Sequence, residues 1–187
     1  MSPAGDTAWK AVAMRRIGLD DHANVRHLHT RAMQAQAGDA LSDGEMVSFM
    51  AFVGSAAYSD LLRGEEMHGA FVDGQLVGTA SWLVSGDDGE TARIASVFVH
   101  PMFARLGIGG RLLAEVEALA CQAGFDQLGA SATINAIPFF ERYGYTEASR
   151  GVKAFGPDCW LPVAFLRKRL RRGARPGRGT PDLEGGE

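Results

Sequence analysis

Hydrophobic and polar positions along the chain follow two periods, and the switches between them mark its elements. From Asp20 or Asp21, either of which can cap a helix, Val25, Leu28, Ala32 and Met33 recur at helical spacing through about Gln36. A loop at Gly38–Ala40 follows. Ser42 opens a second helix carrying Met46, Phe49, Met50 and Val53, and Glu45 three residues on completes a capping box. Tyr58–Leu62 reads as a further turn, and Ala11–Ile17 can start the fold as a strand.

The middle of the chain alternates instead. Met67–Val72 and Gln75–Val84 flank Asp73-Gly74, the strongest short-range hairpin signal, and Ser85–Glu90 is a second turn leading into Ala92–Val99. Three strands joined by tight turns make an antiparallel meander. Helical spacing returns at Leu112, Leu113, Val116, Leu119, Ala120 and Ala123, with Gly124 just past the helix end. Gln127–Ala132 is a next strand and Ile137–Tyr143 a short helix ended by Gly144. Thr146–Phe155 and Cys159–Arg169 form a hairpin across Gly156-Pro157-Asp158. Strands on both sides of interspersed helices predict a mixed sheet, α/β or α+β.

Composition narrows the class. At 187 residues, 46% hydrophobic and 22% charged, the chain is expected to be one globular domain. No apolar run approaches the ~18 residues of a membrane helix, so no membrane partner is expected, and Met1–Arg16 lacks the apolar core of a secretion signal. Two cysteines, Cys121 and Cys159, are too few for a disulfide framework or a closed zinc site. A cytoplasmic protein without metal is the expectation. The net charge of −3 hides an asymmetry: seven basic residues lie in Arg167–Arg178, and residues 1–166 carry −7. The segment runs into a Gly- and Pro-rich stretch and reads as a solvated tail. An acidic body would repel a polyanion, so no nucleic-acid partner is expected.

The sharpest local feature is a strand end, Val97-Phe98-Val99-His100-Pro101, followed by Met102–Leu106 and then Gly107-Ile108-Gly109-Gly110-Arg111 opening an amphipathic helix. Free N–H groups and a partial positive charge at a helix start stabilise an anion, and glycines let a phosphate approach the backbone. No Lys-Ser/Thr pair follows, so this is not a P-loop; Leu112 stands where the dinucleotide fingerprint needs a small third residue.

The run Val97–Leu113 resembles the acyl-CoA-binding motif of the GNAT N-acetyltransferases, a strand followed by Gln/Arg-x-x-Gly-x-Gly/Ala at a helix start. Downstream, Ala136–Tyr145 resembles that family's second motif, a short helix ending in Gly-Phe. The resemblance covers roughly Gln75–Leu170. It implies a mostly antiparallel mixed sheet of about seven strands with a splayed parallel pair and about four flanking helices. Residues 1–170 would be one domain and 171–187 a tail. The implied activity is acetyl transfer from acetyl-CoA to a primary amine by direct attack in a ternary complex.

By the same resemblance, Val97, Phe98 and Val99 would offer a strand edge to the pantetheine arm and an N–H to the acetyl carbonyl. The pyrophosphate would sit on the amides of Arg105, Leu106, Gly107, Ile108, Gly109 and Gly110, and Asn135 would reach the arm. Ala104 occupies the family's Gln/Arg position, and Phe140 stands where many members carry a tyrosine that protonates the leaving thiolate. Two positions where members often place a base, one on each splayed strand, hold Ala95 and Leu128. The expected acceptor is therefore a low-pKa amine, or the base comes from Glu65, Glu66 or His68; Tyr143 is a substitute acid. A domain that binds acyl-CoA without turnover is the second reading. Cys159–Leu170 is apolar enough to pair with another copy, which leaves a homodimer open.

Overall fold

The chain reverses within two residues at Asp73-Gly74, where both take positive φ, 50° and 78°. That geometry matches the right-handed twist of paired strands and is open to Asp and Gly at low cost. It joins β2 (Glu66–Val72) to β3 (Gln75–Ser85), as the alternation predicts. This computed structural model describes residues 12–85 and 89–170. Ala11, the centre of the turn Ser85–Glu90 and the tail 171–187 lie outside the described residues.

Around that hairpin the strands β1 (Ala13–Arg16), β4 (Thr91–Val99), β5 (Gln127–Ala132), β6 (Thr146–Gly156) and β7 (Cys159–Arg169) complete a seven-stranded sheet of order β1-β2-β3-β4-β5-β7-β6. Every neighbouring pair is antiparallel except β4 and β5. The fold is thus the mixed α/β sheet with one parallel pair that the resemblance implies.

Among the described residues five α-helices cover the sheet: α1 (His22–Gln36), α2 (Asp43–Gly54), α3 (Ala56–Gly64), α4 (Ile108–Gln122) and α5 (Ile137–Arg142). The count exceeds the expected four because Tyr58–Leu62 is the middle of a full helix. Its cap, Ser55, directly follows the end of α2 and accepts the Tyr58 N–H at 3.3 Å, so one Gly-Ser pair serves as both stop and start. The capping box of α2 forms as expected: Ser42 Oγ accepts from the Glu45 N–H at 3.3 Å, and Glu45 Oε2 accepts from the Ser42 N–H at 2.7 Å.

Two apolar clusters lie on the two faces of the sheet. Leu112, Leu113, Val116 and Ala120 of α4 pack with Ala80, Ala92, Ile94, Leu128 and Phe140. Val25, Met33, Phe49, Phe52 and Tyr58 of the first three helices pack with Met67, Cys159 and Leu161. Burying one such Leu or Phe side chain contributes about 1.5–3 kcal/mol. Alternation therefore decides which chemistry reaches which face.

Candidate functional site

The sheet opens between its parallel strands. Their ladder runs from Thr91–Gln127 to Ile94–Ala130 and stops, while β4 continues to Val99 alongside β3 alone. A bulge sits at the start of the opening: Thr79 pairs with Phe98 and Ser81 with Ala95, so two residues of β4, Ser96 and Val97, face one of β3. Ser96 takes φ 51°, a costly region for a residue with a Cβ.

Side chains from both sides hold it there. Thr79 Oγ1 donates to Ser96 O at 2.8 Å, and Ser96 Oγ donates to Glu65 Oε2 at 2.7 Å. Thr79, having given its proton to a carbonyl, accepts from His29 Nε2 at 2.7 Å, which leaves His29 Nδ1 to accept the Tyr58 hydroxyl proton. His29 is fully buried, and that burial depresses its pKa to about 3; burial pushes the Tyr58 hydroxyl up. The imidazole is therefore neutral, and the chain Tyr58–His29–Thr79–Ser96 has one direction.

Glu65 precedes β2 and alternates with Met67, so it faces the first three helices. Its Oε2 accepts from Ser81 Oγ at 2.6 Å as well as from Ser96 Oγ, and Oε1 receives no donor among the described residues. Burial raises its pKa, although the two hydroxyls, Arg93 and Lys153 pull the other way. Lys153 on β6 reaches across to donate to Ser131 Oγ at 3.1 Å, and burial together with Arg93 lowers its pKa to about 8.

These groups line a cavity of about 310 Å³ at the fork, bounded by Ala95–Phe98 of β4, Ser131 and Ala132 of β5, and the aromatic wall Phe49, Phe52 and Phe155. A carboxylate held by two hydroxyls beside an open strand edge, opposite a cation, can accept a proton from a bound amine.

At the far end of β4 a single 3-10 turn, Pro101–Phe103, leads through Ala104, Arg105 and Leu106 to α4. Arg105 and Gly107 both have positive φ, 65° and 78°. The first helical bond of α4 runs from the Arg111 N–H to Gly107 O, so the preceding amides are the ones a helix start leaves free. A Cβ built on Gly107 meets nothing within 4 Å, so the turn is open at that residue, whereas one on Gly109 would meet Phe139 and Val99 at 3.3 Å and one on Gly110 the Tyr143 ring. Arg105 and Arg111 flank it with positive charge. Open amides next to an unzipped strand edge fit a diphosphate with a linear arm.

The structure brings together only part of the residue set expected from sequence. Val97, Phe98, Asn135 and Phe140 line the cavity with Glu65, and Val99 ends the same strand. Asn135 Nδ2 donates to Gln36 O, and Gln36 Nε2 donates to Val99 O at 2.8 Å, so α1 bridges the rim of the fork. Glu66 and His68 alternate to the other face, where His68 Nδ1 lies 3.7 Å from Glu115 of α4. Tyr143 also lies outside the cavity lining: its hydroxyl occupies the space a Cβ on Gly110 would need. Leu128 is buried against α4, and the β5 side chain that faces the site is Ser131. Sequence reasoning did not single out His29 as a partner of Thr79, nor Arg93, Ser131 or Lys153. Phe49, Phe52 and Tyr58 line the cavity, whereas Trp160 is 57% exposed and does not. Among the described residues no cluster of His, Cys, Asp and Glu could hold a metal ion, and no helix is long and apolar enough to cross a membrane.

A family model described as an acetyltransferase (GNAT) domain matches residues 37–156. The fold is similar to a GCN5-related N-acetyltransferase from Rhodopseudomonas palustris, with 24% identity, TM-score 0.76, and coverage of 89% of this chain and 100% of that one. It is similar to the PaiA N-acetyltransferase of Thermoplasma acidophilum in complex with coenzyme A, at 16% identity and TM-score 0.65, covering 86% and 99%. YncA of Salmonella typhimurium, with acetyl-CoA, aligns at 22% identity and TM-score 0.60, covering 90% and 99%. No curated protein matches the chain.

Proposed function

The chain is an acyl-CoA-dependent acetyltransferase of the GNAT family, and from that premise we propose that it moves the acetyl group of acetyl-CoA to a primary amine of a small molecule or peptide, by direct attack with both substrates bound. The observation that carries the reading is the Glu65 carboxylate in the wall of the cavity at the fork, held through Oε2 with Oε1 left over. Residues 1–170 are its single domain in this reading.

Acetyl-CoA supplies an activated thioester; the chain supplies position, dipoles and a proton acceptor. The amides of Arg105–Gly110 hold the diphosphate, and the free edge of Val97, Phe98 and Val99 orients the arm. Glu65 Oε1 takes the proton of the acceptor ammonium. A lysine-like amine with pKa near 10.4 costs about 4.6 kcal/mol to deprotonate at pH 7, and an α-amino group near 7.7–8.0 about 1–1.4 kcal/mol. A carboxylate raised by burial narrows that gap by about 1.4 kcal/mol for every pKa unit.

The leaving thiol needs less help. Its pKa near 8.5 makes release as thiolate cost about 2 kcal/mol at pH 7, and water can return the proton. Phe140 in the cavity wall is therefore tolerable, although a phenyl ring donates nothing. The reading of a domain without turnover drew on Ala95, Leu128 and Phe140. Glu65 supplies a base without Ala95, and Leu128 points to the other face.

The test is thiol release from acetyl-CoA with a panel of primary amines, followed as initial rates against both substrates. Intersecting double-reciprocal lines and an N-acetylated product are expected. Parallel lines, or an acetylated protein that transfers its acetyl group onward, would overturn direct attack. Binding with no release across chemically diverse amines would favour the domain without turnover.

A further inference from the structure

Beyond the fork the same face of the sheet carries a second, more open depression of about 780 Å³, which shares Arg93, Ser131 and Lys153 with the first. Its floor is one transverse row of the sheet. Arg93 of β4 pairs with Gly129 of β5, and Gly129 pairs with Arg167 of β7. Gly129 has no side chain, and a Cβ built there meets nothing closer than 3.8 Å, so the two guanidinium arms rise on either side of a bare floor. Adjacent strands lie about 4.8 Å apart, which places the two Arg Cα atoms roughly 10 Å from each other, a gap an oxyanion can bridge. Lys153 Nζ lies two residues further along β5, on Ser131.

Among the described residues these cations have no ion-pair partner: Arg93, Arg167 and Lys153 have no carboxylate within 4 Å, whereas Lys168, on the opposite face, pairs with Glu117 at 2.6 Å. The Arg93 Nε is buried without a hydrogen-bond partner. Among the described residues that line either depression, Glu65 is the sole carboxylate. The body of the chain is acidic, with residues 1–166 at −7, so a row of cations here runs against the average charge. Arg93 and Lys153 are half-buried and Arg167 is exposed; for the first two, partial desolvation without a counter-charge is costly unless a ligand supplies the charge.

We infer that the acceptor amine carries an oxyanion, a carboxylate or a phosphate, bound over Gly129 by Arg93, Arg167 and Lys153 while its amino group faces Glu65. The inference rests on the acceptor site proposed above and names the class of molecule that enters it. Chain direction separates this subsite from the acyl donor. It lies where β4 and β5 are still paired, near Thr91 and Gln127, whereas the amides of α4 follow the opposite end of β4. Lys153, with its pKa near 8, still carries its charge at neutral pH.

The test compares matched amines: amino carboxylates against their carboxamides, and O-phosphoethanolamine against ethanolamine. Binding is measured by calorimetry with coenzyme A present, alongside acetyl transfer. The anionic member of at least one pair is expected to bind about 10- to 100-fold more tightly. Lys153→Gln and Arg167→Gln are expected to remove most of that preference through KM, and Lys153→Arg to restore it; the carboxylate and phosphate pairs show which anion is read. Equal binding within both pairs, or a preference that survives both Gln variants, would overturn the inference. So would a preference for succinyl-CoA with neutral amines, which would put the anion on the donor. Selective binding of anionic amines without thiol release would support the subsite and count against Glu65 as the base.

Discussion

Glu65→Gln is expected to lower kcat/KM for an amine acceptor by about 10²- to 10⁴-fold, the usual worth of a general base. The variant is close to isosteric, and its amide oxygen can still accept from Ser81 and Ser96, so the bulge and the fold survive. What disappears is the proton acceptor. Wild-type activity should rise with pH as Glu65 ionises, with an acid limb above the ordinary carboxylate pKa of 4.5 because burial raises the group. The variant should lack that limb. Lysine-like amines should suffer most, since they have the larger deprotonation cost. A Gln variant within about threefold of wild type, against the 10²-fold minimum of a working base, would remove Glu65 from the mechanism.

His29→Leu is expected to destabilise the protein by about 2–4 kcal/mol, because the Tyr58 hydroxyl, buried beside Phe52, is left without its acceptor and Thr79 without its donor. That corresponds to a fall in Tm of about 5–15 °C for a chain of this size. The pH dependence separates the hydrogen-bond loss from simple repacking. The unfolded imidazole takes a proton near pH 6.5, while the folded one stays neutral down to about 3. Throughout that window the unfolded state binds more protons, so wild-type stability falls as pH drops from 6.5 toward 3. The Leu variant lacks this contribution, and the gap between the two proteins should narrow in acid. Adding Tyr58→Phe removes the orphaned hydroxyl and should recover part of the loss. A gap that stays constant from pH 7 to pH 4 would mean that the imidazole carries no such role.

The local grammar of the fold is legible in the chain. Asp73-Gly74, the Ser42–Glu45 box and the apolar stripe of α4 each follow from a few neighbouring residues, and each appears where expected. The site is less legible, because facing is set by parity and parity needs a register. Glu65, Glu66 and His68 are near neighbours in sequence, yet only Glu65 shares the face of Met67. Both faces of β2 are covered, so its apolar pattern did not tell them apart. One position along β5 likewise separates Leu128, against α4, from Gly129 on the site face. The chain Tyr58–His29–Thr79 and the row Arg93–Gly129–Arg167 join segments far apart in sequence. No periodicity within one segment marks such a set.

The central claim is that the amides before α4 and the fork between β4 and β5 together seat acetyl-CoA beside Glu65. A crystal structure of the protein with coenzyme A tests it most directly. The account predicts the diphosphate on the backbone N–H groups of Arg105–Gly110, the arm along Val97–Val99, and the sulfur in the cavity within reach of Glu65. Coenzyme A bound elsewhere, or with its sulfur on the α4 face beside Tyr143, would contradict it.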